Sequence, residues 1–314
     1  MAFRAGSVAL VGRPNAGKST LLNTVVGQKV AIVSDKAQTT RRSLLGIATT
    51  PEYQIVFVDT PGVHEPHTRL GKIMIDEAKR PLGDVDVVVV VIDVSKAPAK
   101  EDEAMANFLR SAGVLPDKKG VRSIDVPVVL CLNKMDLLKA AHVVENVEAY
   151  CSLYQTETYM LTCLTKQQNI DKLLALLVPH LPEQPALFDE DEITDQPMRF
   201  LAAELIREKA LQATREEVPH ALAVVVETWE ESGPESEVPP GMIHIRAALV
   251  VEKEGQKAIL IGRQGSMLKR IGSQARVEIE EMVGQKVFLE LFVKVRAEWR
   301  QNPRLLRDLD YLPH

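Results

Sequence analysis

The stretch Gly12-Arg13-Pro14-Asn15-Ala16-Gly17-Lys18-Ser19 decides the fold of the first half of this chain. It matches the phosphate-binding loop pattern G-x-x-x-x-G-K-[ST] at every fixed position. The residues Ser7–Val11 before it predict a short buried strand, and the helical spacing of Thr20–Val26 predicts a helix after it. A strand, this loop and a helix in that order are the setting in which the pattern binds phosphate.

The residue types in the loop explain how it would hold a phosphate. Gly12 and Gly17 permit backbone conformations closed to other residues and bring N–H groups close to phosphate oxygens. Lys18 is expected to reach the terminal phosphates, and the Ser19 hydroxyl is a predicted Mg²⁺ ligand. The predicted phosphate-binding residues in this stretch are Gly12, Arg13, Pro14, Asn15, Ala16, Gly17, Lys18, Ser19 and Thr20.

Length and composition set the broad class of protein. A chain of 314 residues exceeds one ordinary domain, and 46% hydrophobic with 26% charged residues is typical of a soluble globular protein. The longest apolar run, residues 85–94, contains two aspartates and is too short to span a bilayer. Three cysteines without metal-ligand spacing suit a reducing compartment, and the N-terminus lacks a secretion-signal pattern. We therefore expect a cytoplasmic protein of two domains.

The formal net charge of −5 hides a strong asymmetry along the chain. Residues 183–256 contain 6 basic and 17 acidic residues, whereas residues 257–307 contain 11 basic and 5 acidic residues. A basic block of this kind indicates a site for a polyanion near the C-terminus. An unevenly charged, solvated surface is the alternative.

Three regions follow from the patterns along the chain. Residues 1–182 alternate strand-like and helix-like stretches, which predicts a doubly wound α/β domain. Residues 183–197 are rich in Asp, Glu and Pro and are predicted to be a linker. Residues 198–314 predict the order α-β-β-α-α-β, a small α+β domain with a short helical tail; its last long helix is predicted over 273–283.

Two further motifs select the nucleotide. Asp59-Thr60-Pro61-Gly62 follows a predicted strand, where Asp59 would hold Mg²⁺ through water and Gly62 would offer its N–H to the γ-phosphate. Asn133-Lys134-Met135-Asp136 follows another predicted strand, at the edge where this fold binds ligands. The Asp136 carboxylate can accept hydrogen bonds from the ring N–H and the amine of guanine, which adenine does not present together. The three motifs in this order predict a GTPase.

The loop Lys36–Arg41 lies where GTPases place their first switch. We predict Thr40 as the second hydroxyl ligand of Mg²⁺, with Thr39 as the alternative. A threonine ordered by the γ-phosphate and released after hydrolysis makes such a loop a two-state element.

Together these residues resemble the Era family of bacterial ribosome-assembly GTPases. The resemblance rests on the loop Gly12–Ser19, on Gln38-Thr39-Thr40-Arg41 and on Asp59–Gly62. In the second domain it extends to Arg199-Phe200, Ile206-Arg207-Glu208-Lys209 and Glu217-Val218-Pro219. It implies a GTPase domain followed by a type II KH domain that binds the 3′ end region of small-subunit (16S) rRNA in a nucleotide-dependent way and supports maturation of the 30S subunit. It further implies a cytoplasmic monomer, with peripheral association with the inner membrane left open.

Val63 occupies the position after Gly62 where related enzymes carry a water-orienting glutamine. A valine cannot orient water through a hydrogen bond, so hydrolysis must rely on another group, a bound cation or a partner. Asn15 resembles the loop asparagine that related GTPases use to hold K⁺. We therefore predict slow hydrolysis stimulated by K⁺; a loop-tightening role for Asn15 is the alternative. Lys18, Thr40, Gly62 and Asn15 form the predicted catalytic set, and Thr60, Pro61 and Val63 complete the phosphate site.

The third guanine-contacting loop departs from the usual pattern. The matching residues are Thr162, Cys163 and Leu164, and Lys166-Gln167-Gln168 follows in place of a glycine turn. Backbone contacts tolerate side-chain changes, so we expect guanine binding to survive. The register of this loop is open, and the extra stretch 116–125 has no evident role.

The pentapeptide Ile261-Gly262-Arg263-Gln264-Gly265 carries the G-x-x-G pattern of KH domains between two predicted helices. Alone it is weak, and a plain helix–turn–helix corner is the alternative. The element order and the basic residues around it favour an RNA site. The predicted RNA-binding residues are Lys257, Ile261, Gly262, Arg263, Gln264, Gly265, Lys269, Arg270 and Lys294, with an apolar groove drawn from Ile259, Ile261, Leu268 and Ile271.

Two other classes of protein share some of these features. A metabolic kinase would use the same phosphate loop, but Asn133–Asp136 argues against it. A regulator whose second domain binds no RNA is the other alternative.

Overall fold

Two structural units make up the protein in the computed structural model, which describes residues 2–34, 36, 39–63, 66, 68–117, 119–233 and 238–312. The first unit contains residues up to Asp195, apart from two short segments that begin at Ile32 and Thr68. Those segments group with the second unit, which otherwise starts at Gln196.

The first unit is built on a six-stranded sheet. Its strands and helices, in chain order, are β1 (Arg4–Val11), α1 (Lys18–Val26), β2 (Leu44–Thr49), β3 (Tyr53–Asp59), α2 (Arg69–Lys79), β4 (Val87–Asp93), α3 (Lys100–Ser111), β5 (Val128–Asn133), α4 (Val143–Tyr154), β6 (Tyr159–Leu161) and α5 (Ile170–Leu177). The strand order is β2-β3-β1-β4-β5-β6. All neighbours are parallel except β2 and β3.

Each face of this sheet has its own apolar core, because side chains alternate along a strand. On β1, Val8 and Leu10 belong to the core that includes leucines of α1 and α5. Ala9 and Val11 belong to the opposite core, which includes residues of α3 and α4. This two-sided burial confirms the predicted doubly wound α/β fold.

The predicted linker is bonded to the first unit over much of its length. The Gln54 side chain, fully buried, accepts hydrogen bonds from the backbone N–H of Leu187 at 2.7 Å and of Phe188 at 3.0 Å. Ile47 N donates to the Ile193 carbonyl at 2.9 Å. The polar composition therefore marks a fitted segment rather than a loose one, and the boundaries at 182 and 197 stay predictions.

The second unit is a three-stranded sheet with helices packed on it. Its elements are α6 (Met198–Ala213), α7 (Val218–Ala221), β7 (Ala223–Glu231), β8 (Met242–Val251), α8 (Glu254–Ile261), α9 (Ser266–Val283), β9 (Lys286–Val295) and α10 (Pro303–Asp308). The strand order is β7-β8-β9. The pair β7–β8 is antiparallel and β8–β9 is parallel, since α8 and α9 form the crossover between them. The predicted small α+β domain is confirmed.

The helix α9 is longer than predicted. It begins at Ser266 rather than at residue 273, and it continues through Gly272. A Cβ at Gly272 would lie 3.2 Å from Leu291 Cδ1 on β9. The glycine therefore lets the helix approach the sheet closely and does not end it.

Among the described residues, no helix is long and apolar enough to cross a membrane.

Candidate functional site

The nucleotide motifs meet at one edge of the first sheet. β1 ends at Val11, directly before the phosphate loop, and β3 ends at Asp59. β5 ends at Asn133. Because these strands are parallel, their carboxyl ends lie side by side, where ligands bind in folds of this class.

Left-handed backbone conformations shape the phosphate loop. Gly12 has φ 150° and Gly17 has φ 117°. A Cβ at Gly12 would lie 2.3 Å from the Val91 carbonyl oxygen, so only glycine fits there. Asn15 is exposed and has φ 62°, a conformation that asparagine tolerates better than most residues. This conformation fits the loop-tightening role of Asn15, and the exposed position also fits the ligand role.

The Lys18 side chain donates hydrogen bonds to the backbone of the phosphate loop. It is buried, and its Nζ donates to the Gly12 carbonyl at 2.9 Å and the Arg13 carbonyl at 3.2 Å. These bonds hold the ammonium at the mouth of the loop, where phosphate oxygens would replace part of its lost hydration.

The three predicted Mg²⁺ ligands come together. Ser19 Oγ donates to Asp59 Oδ2 at 2.7 Å and lies 3.0 Å from Thr40 Oγ1. Thr40 Oγ1 is 3.3 Å from the same Asp59 oxygen. The other oxygen, Asp59 Oδ1, is buried and has no hydrogen-bond partner among the described residues. Two hydroxyls and a carboxylate with an unused oxygen fit the oxygen-ligand chemistry of Mg²⁺.

Within the described part of the chain, no cluster of three or more His, Cys, Asp or Glu side chains could hold a metal ion. The Ser19–Thr40–Asp59 cluster is of a different kind, since phosphate oxygens and water would complete its coordination.

Burial shifts the pKa values of Asp59 and Lys18. It raises the pKa of Asp59, although Lys18, Ser19 and Thr40 act in the opposite direction. Burial likewise lowers the pKa of Lys18, although Asp59 opposes this. Each charged form is therefore disfavoured by desolvation, and a phosphate beside Lys18 or a cation beside Asp59 would relieve that cost.

Asn133 links the phosphate loop to the two loops of the predicted guanine site. Its buried side chain donates from Nδ2 to the Ala16 carbonyl at 2.8 Å and accepts at Oδ1 from Leu164 N at 3.2 Å. Met135 N also donates to the Thr162 carbonyl at 3.1 Å. The structure thus places residues 162–164 beside Asn133–Asp136.

Asp136 has a partner that the sequence did not reveal. Lys166 Nζ lies 3.2 Å from Asp136 Oδ2, and the Cys163 side chain also hydrogen bonds to the carboxylate. The Cys163 bond first, and then Lys166, lower the pKa of Asp136. An ionised carboxylate can only accept hydrogen bonds, as guanine recognition requires. The remaining motif lysine, Lys134, pairs with Asp93 Oδ2 at 2.7 Å.

The residue after Gly62 contributes no polar group. Val63 is half-buried and packs against the apolar core that includes α3 and α4. Of the predicted switch, Ala37 and Gln38 lie outside the described residues.

The G-x-x-G loop joins α8 and α9 of the second unit as predicted. Gly262, Gln264 and Gly265 have φ of 71°, 51° and 76°. Arg263 and Gln264 are exposed between the two glycines. A tight loop with an exposed basic side chain is suited to a nucleic-acid backbone.

A groove of about 290 Å³ runs from this loop between α9 and β9. Its lining residues are Gly265, Leu268, Lys269, Gly272, Ser273, Arg276, Phe288, Leu289 and Leu291. Phe288 is 53% exposed and was not predicted as a site residue. An exposed ring beside two cations is suited to stacking on a base and holding its phosphate.

The residues predicted to form an apolar groove lie in different environments in the structure. Leu268 lines the groove, whereas Ile271 is fully buried and belongs to the core. Ile259 is exposed, and Ile261 packs against the core. Ile271 is therefore a packing residue.

The predicted basic residues are also not all in one place. Lys269 lines the groove, and Arg270 is exposed on the same helix. Lys294 lies over the Phe292 ring, 5.0 Å from its centroid, and pairs with Glu227. Lys257 lies 3.9 Å from Glu254 on α8. Lys294 and Lys257 therefore have weaker support as RNA contacts than Lys269 has.

The fold and the two sites define a class of protein: a P-loop GTPase domain followed by a KH domain. Comparison with known families agrees. Residues 7–134 match the family model "50S ribosome-binding GTPase", and residues 217–300 match "KH domain".

Curated relatives identify the family. The chain is 41% identical to GTPase Era of Geotalea uraniireducens over 309 residues, 98% of each chain. It is 43% identical to GTPase Era of Leuconostoc citreum over 311 residues, 98% of this chain and 97% of that one. The chain belongs to the Era family and is a GTPase.

Solved structures show the same fold. An Era variant from Aquifex aeolicus bound to GDP and AlF₄⁻ superposes with a TM-score of 0.89 at 38% identity, covering 98% of this chain and 99% of that one. A structure of Era in complex with MgGDPNP and nucleotides 1506–1542 of 16S ribosomal RNA has the same identity, coverage and TM-score.

Proposed function

We propose that this GTPase hydrolyses GTP at the loop Gly12–Ser19 and binds the 3′ end region of 16S rRNA through the groove beside Gly262–Gly265. Nucleotide state would control RNA binding, and the protein would support maturation of the 30S subunit. The observation that carries the proposal is the convergence of Ser19, Thr40 and Asp59 in a chain that also has an open groove beside a G-x-x-G loop.

The phosphate site would act mainly by position and charge. Lys18 would place its ammonium against the terminal phosphates, and the N–H of Gly62 would donate to the γ-phosphate. The backbone of the loop would donate to the phosphates that precede it. Ser19, Thr40 and, through water, Asp59 would hold Mg²⁺, which supplies positive charge for the phosphate oxygens when bound.

The guanine site would combine two loops. Asp136 would accept from the ring N–H and the amine of the base, while Asn133 keeps the loops in register. The backbone of residues 162–164 would face the guanine carbonyl. A base that leaves a buried polar group unpaired is rejected strongly, so ATP would bind poorly.

Asn15 is the proposed source of K⁺ dependence, because Val63 supplies no group to orient water. We expect GTP hydrolysis to be about tenfold or more faster in KCl than in NaCl, since one preorganised positive group at a transition state is worth this much. The steady-state rate at saturating GTP, in matched KCl and NaCl, measures the effect.

Two variants separate a ligand role of Asn15 from a role in loop shape. Asn15→Gly retains the left-handed conformation and lacks the amide oxygen, so it should lose the K⁺ effect while still binding GTP. Asn15→Asp should weaken the difference between the salts. Equal wild-type rates in KCl and NaCl would end the proposal.

A single substitution, Gly265→Asp, tests the proposed RNA site. Gly265 has φ 76° and open space around its Cβ position, so Gly265→Asp should fold and place a negative charge beside the phosphate path. We expect its affinity for the 3′ segment of 16S rRNA to fall by about tenfold or more at fixed salt, through like-charge repulsion. Footprinting on purified small subunits, with GDP and with a non-hydrolysable GTP analogue, measures both the site and its nucleotide control.

Gly284→Asp is the matched control. Gly284 has φ 67°, also has open space, and ends the same helix α9 that Gly265 begins. RNA protection that survives Gly265→Asp, or that both variants reduce equally, would show that RNA binds elsewhere.

The family resemblance also suggests a cytoplasmic monomer with at most weak peripheral association with the inner membrane. These three statements stay predictions.

A further inference from the structure

We propose that Asp102 is a positioning residue for the phosphate loop and that it acts through Arg13. Asp102 lies on α3, 89 residues after Arg13 in the chain. The inference rests on the proposed phosphate site and adds a residue to it that none of the nucleotide motifs contains.

One carboxylate oxygen makes the connection. Asp102 Oδ2 accepts from Arg13 Nη1 at 3.0 Å and from Ala99 N at 3.0 Å. The same atom therefore caps the first turn of α3 and holds the side chain of a loop residue. The Asp102 side chain is 2% exposed and that of Arg13 is 19% exposed, so the pair is shielded from solvent.

Arg13 is fixed at both ends. Its carbonyl accepts from Lys18 Nζ at 3.2 Å, and its guanidinium is committed to Asp102. The side chain therefore anchors the loop, and its contribution to phosphate binding comes from the backbone. Holding the loop before the ligand arrives reduces the ordering cost of binding.

The burial of Asp102 explains why the pair should be strong. A buried carboxylate without a cationic partner is costly, and Arg13 is the cation that the structure pairs with it. A bond between two shielded charges resists the small shifts that would misalign the loop N–H groups. A loop misplaced by about 1 Å binds its ligand much more weakly.

Asp102→Asn separates positioning from a purely structural role. The amide oxygen of asparagine can accept from Ala99 N as the carboxylate oxygen does, so that bond can persist while the negative charge facing Arg13 is lost. If Asp102 only caps α3, the asparagine variant should behave as the wild type does. Glu103→Gln, an exposed neighbour on the same turn, is the control for loss of charge.

The test uses the full chain and a fluorescent mant-GDP probe. Dissociation rates are measured for wild type, Asp102→Asn, Arg13→Gln, the double variant and Glu103→Gln. We expect each single variant to release mant-GDP roughly tenfold faster and the double variant to release it no faster than either, because both remove the same interaction. Glu103→Gln should match wild type. The ³¹P resonance of bound GDP should shift in Asp102→Asn and stay in place in Glu103→Gln.

Two further measurements make the result decisive. Thermal unfolding of the nucleotide-free proteins measures what the broken pair costs the fold, and release rates are therefore compared at a temperature at which Asp102→Asn and Glu103→Gln are both fully folded. Unchanged release from Asp102→Asn, or effects of the two single variants that multiply, would overturn the inference.

Lys18→Ala distinguishes the two proposals. If Lys18→Ala holds mant-GDP as tightly as wild type does, the proposed phosphate site is wrong and the role of Asp102 falls with it. If Lys18→Ala loses binding while Asp102→Asn releases nucleotide at the wild-type rate, only the role of Asp102 is refuted.

Discussion

Asp136→Asn is expected to bind GTP about 10³-fold more weakly and to prefer xanthosine triphosphate (XTP) over GTP. The ionised carboxylate can accept two hydrogen bonds from guanine, and Cys163 and then Lys166 lower its pKa. An asparagine amide presents one acceptor and one donor, so its N–H₂ would face the guanine amine without a partner. Xanthine has a carbonyl at that position, and the same N–H₂ can donate to it.

Competition binding of labelled GTP against unlabelled GTP, XTP and ATP measures this change of base preference. Asp171→Asn, on the exposed face of α5, removes a carboxylate elsewhere in the same unit and should leave the order of affinities unchanged. An Asp136→Asn variant that still prefers GTP would place guanine recognition on other residues.

Gly17→Ala is expected to weaken GTP binding by about 10²–10³-fold and to destabilise the protein by about 3–5 kcal/mol. Gly17 has φ 117°, and a Cβ there would lie 2.4 Å from Asn133 Nδ2 and 3.1 Å from Leu164 Cδ1. The methyl group would therefore displace the side chain that connects the phosphate loop to the guanine loops. Backbone strain accounts for about 1–3 kcal/mol, and disrupted bonds of the buried Asn133 for a similar amount.

The comparison with Gly27→Ala isolates the clash. Gly27 also has a positive φ, 77°, and nothing lies within 4 Å of its Cβ position. An alanine there should cost about 1 kcal/mol, from backbone strain alone, and should leave GTP affinity unchanged. Urea unfolding and GTP titration of both variants measure the difference. Equal losses in the two variants would mean that contact with Asn133 has no special role.

The nucleotide motifs were predictable because each is a local pattern. A phosphate loop needs its glycines and lysine at fixed spacing. Because the loop follows a parallel strand, the ligand binds at the carboxyl edge of the sheet. Ser19, Thr40 and Asp59 are distant in sequence but come together in the structure. The phosphate loop before Ser19 follows the carboxyl end of β1, Asp59 ends β3, and the loop that contains Thr40 faces the same edge of the sheet.

The partners of these motifs were not predictable in the same way. Lys166 pairs with Asp136, and Asp102 pairs with Arg13. These are tertiary contacts, and no sequence motif with fixed spacing predicts them. Each acidic or basic residue, taken alone, resembles a solvated surface group. Only the packing of α3 and of the third guanine loop against the site brings the charges together.

The strand β2 (Leu44–Thr49) was not predicted from the sequence. β2 contains Gly46 and Ala48, which favour strands weakly, and its glycine is needed because a Cβ would lie 2.4 Å from Leu22 Cδ1. The alternation along β9 predicted a strand but could not say that Phe288 would be open to solvent. Phe288 follows the buried Val287 along the strand and therefore lies on the opposite face of the sheet.

The acidic segment 183–195 covers part of one edge of the first sheet. β2 is a terminal strand of its sheet, and an uncovered terminal strand offers unpaired backbone groups to other chains. Here the Ile193 carbonyl accepts from Ile47 N, and the Thr194 hydroxyl donates to the Leu45 carbonyl at 2.7 Å. Residues 1–182 contain every nucleotide motif. Without residues 183–195, however, the backbone groups of β2 at the edge of the sheet would be unpaired. The segment that composition predicts to be a spacer therefore covers part of the β2 edge, and its deletion should make the first unit more prone to aggregate.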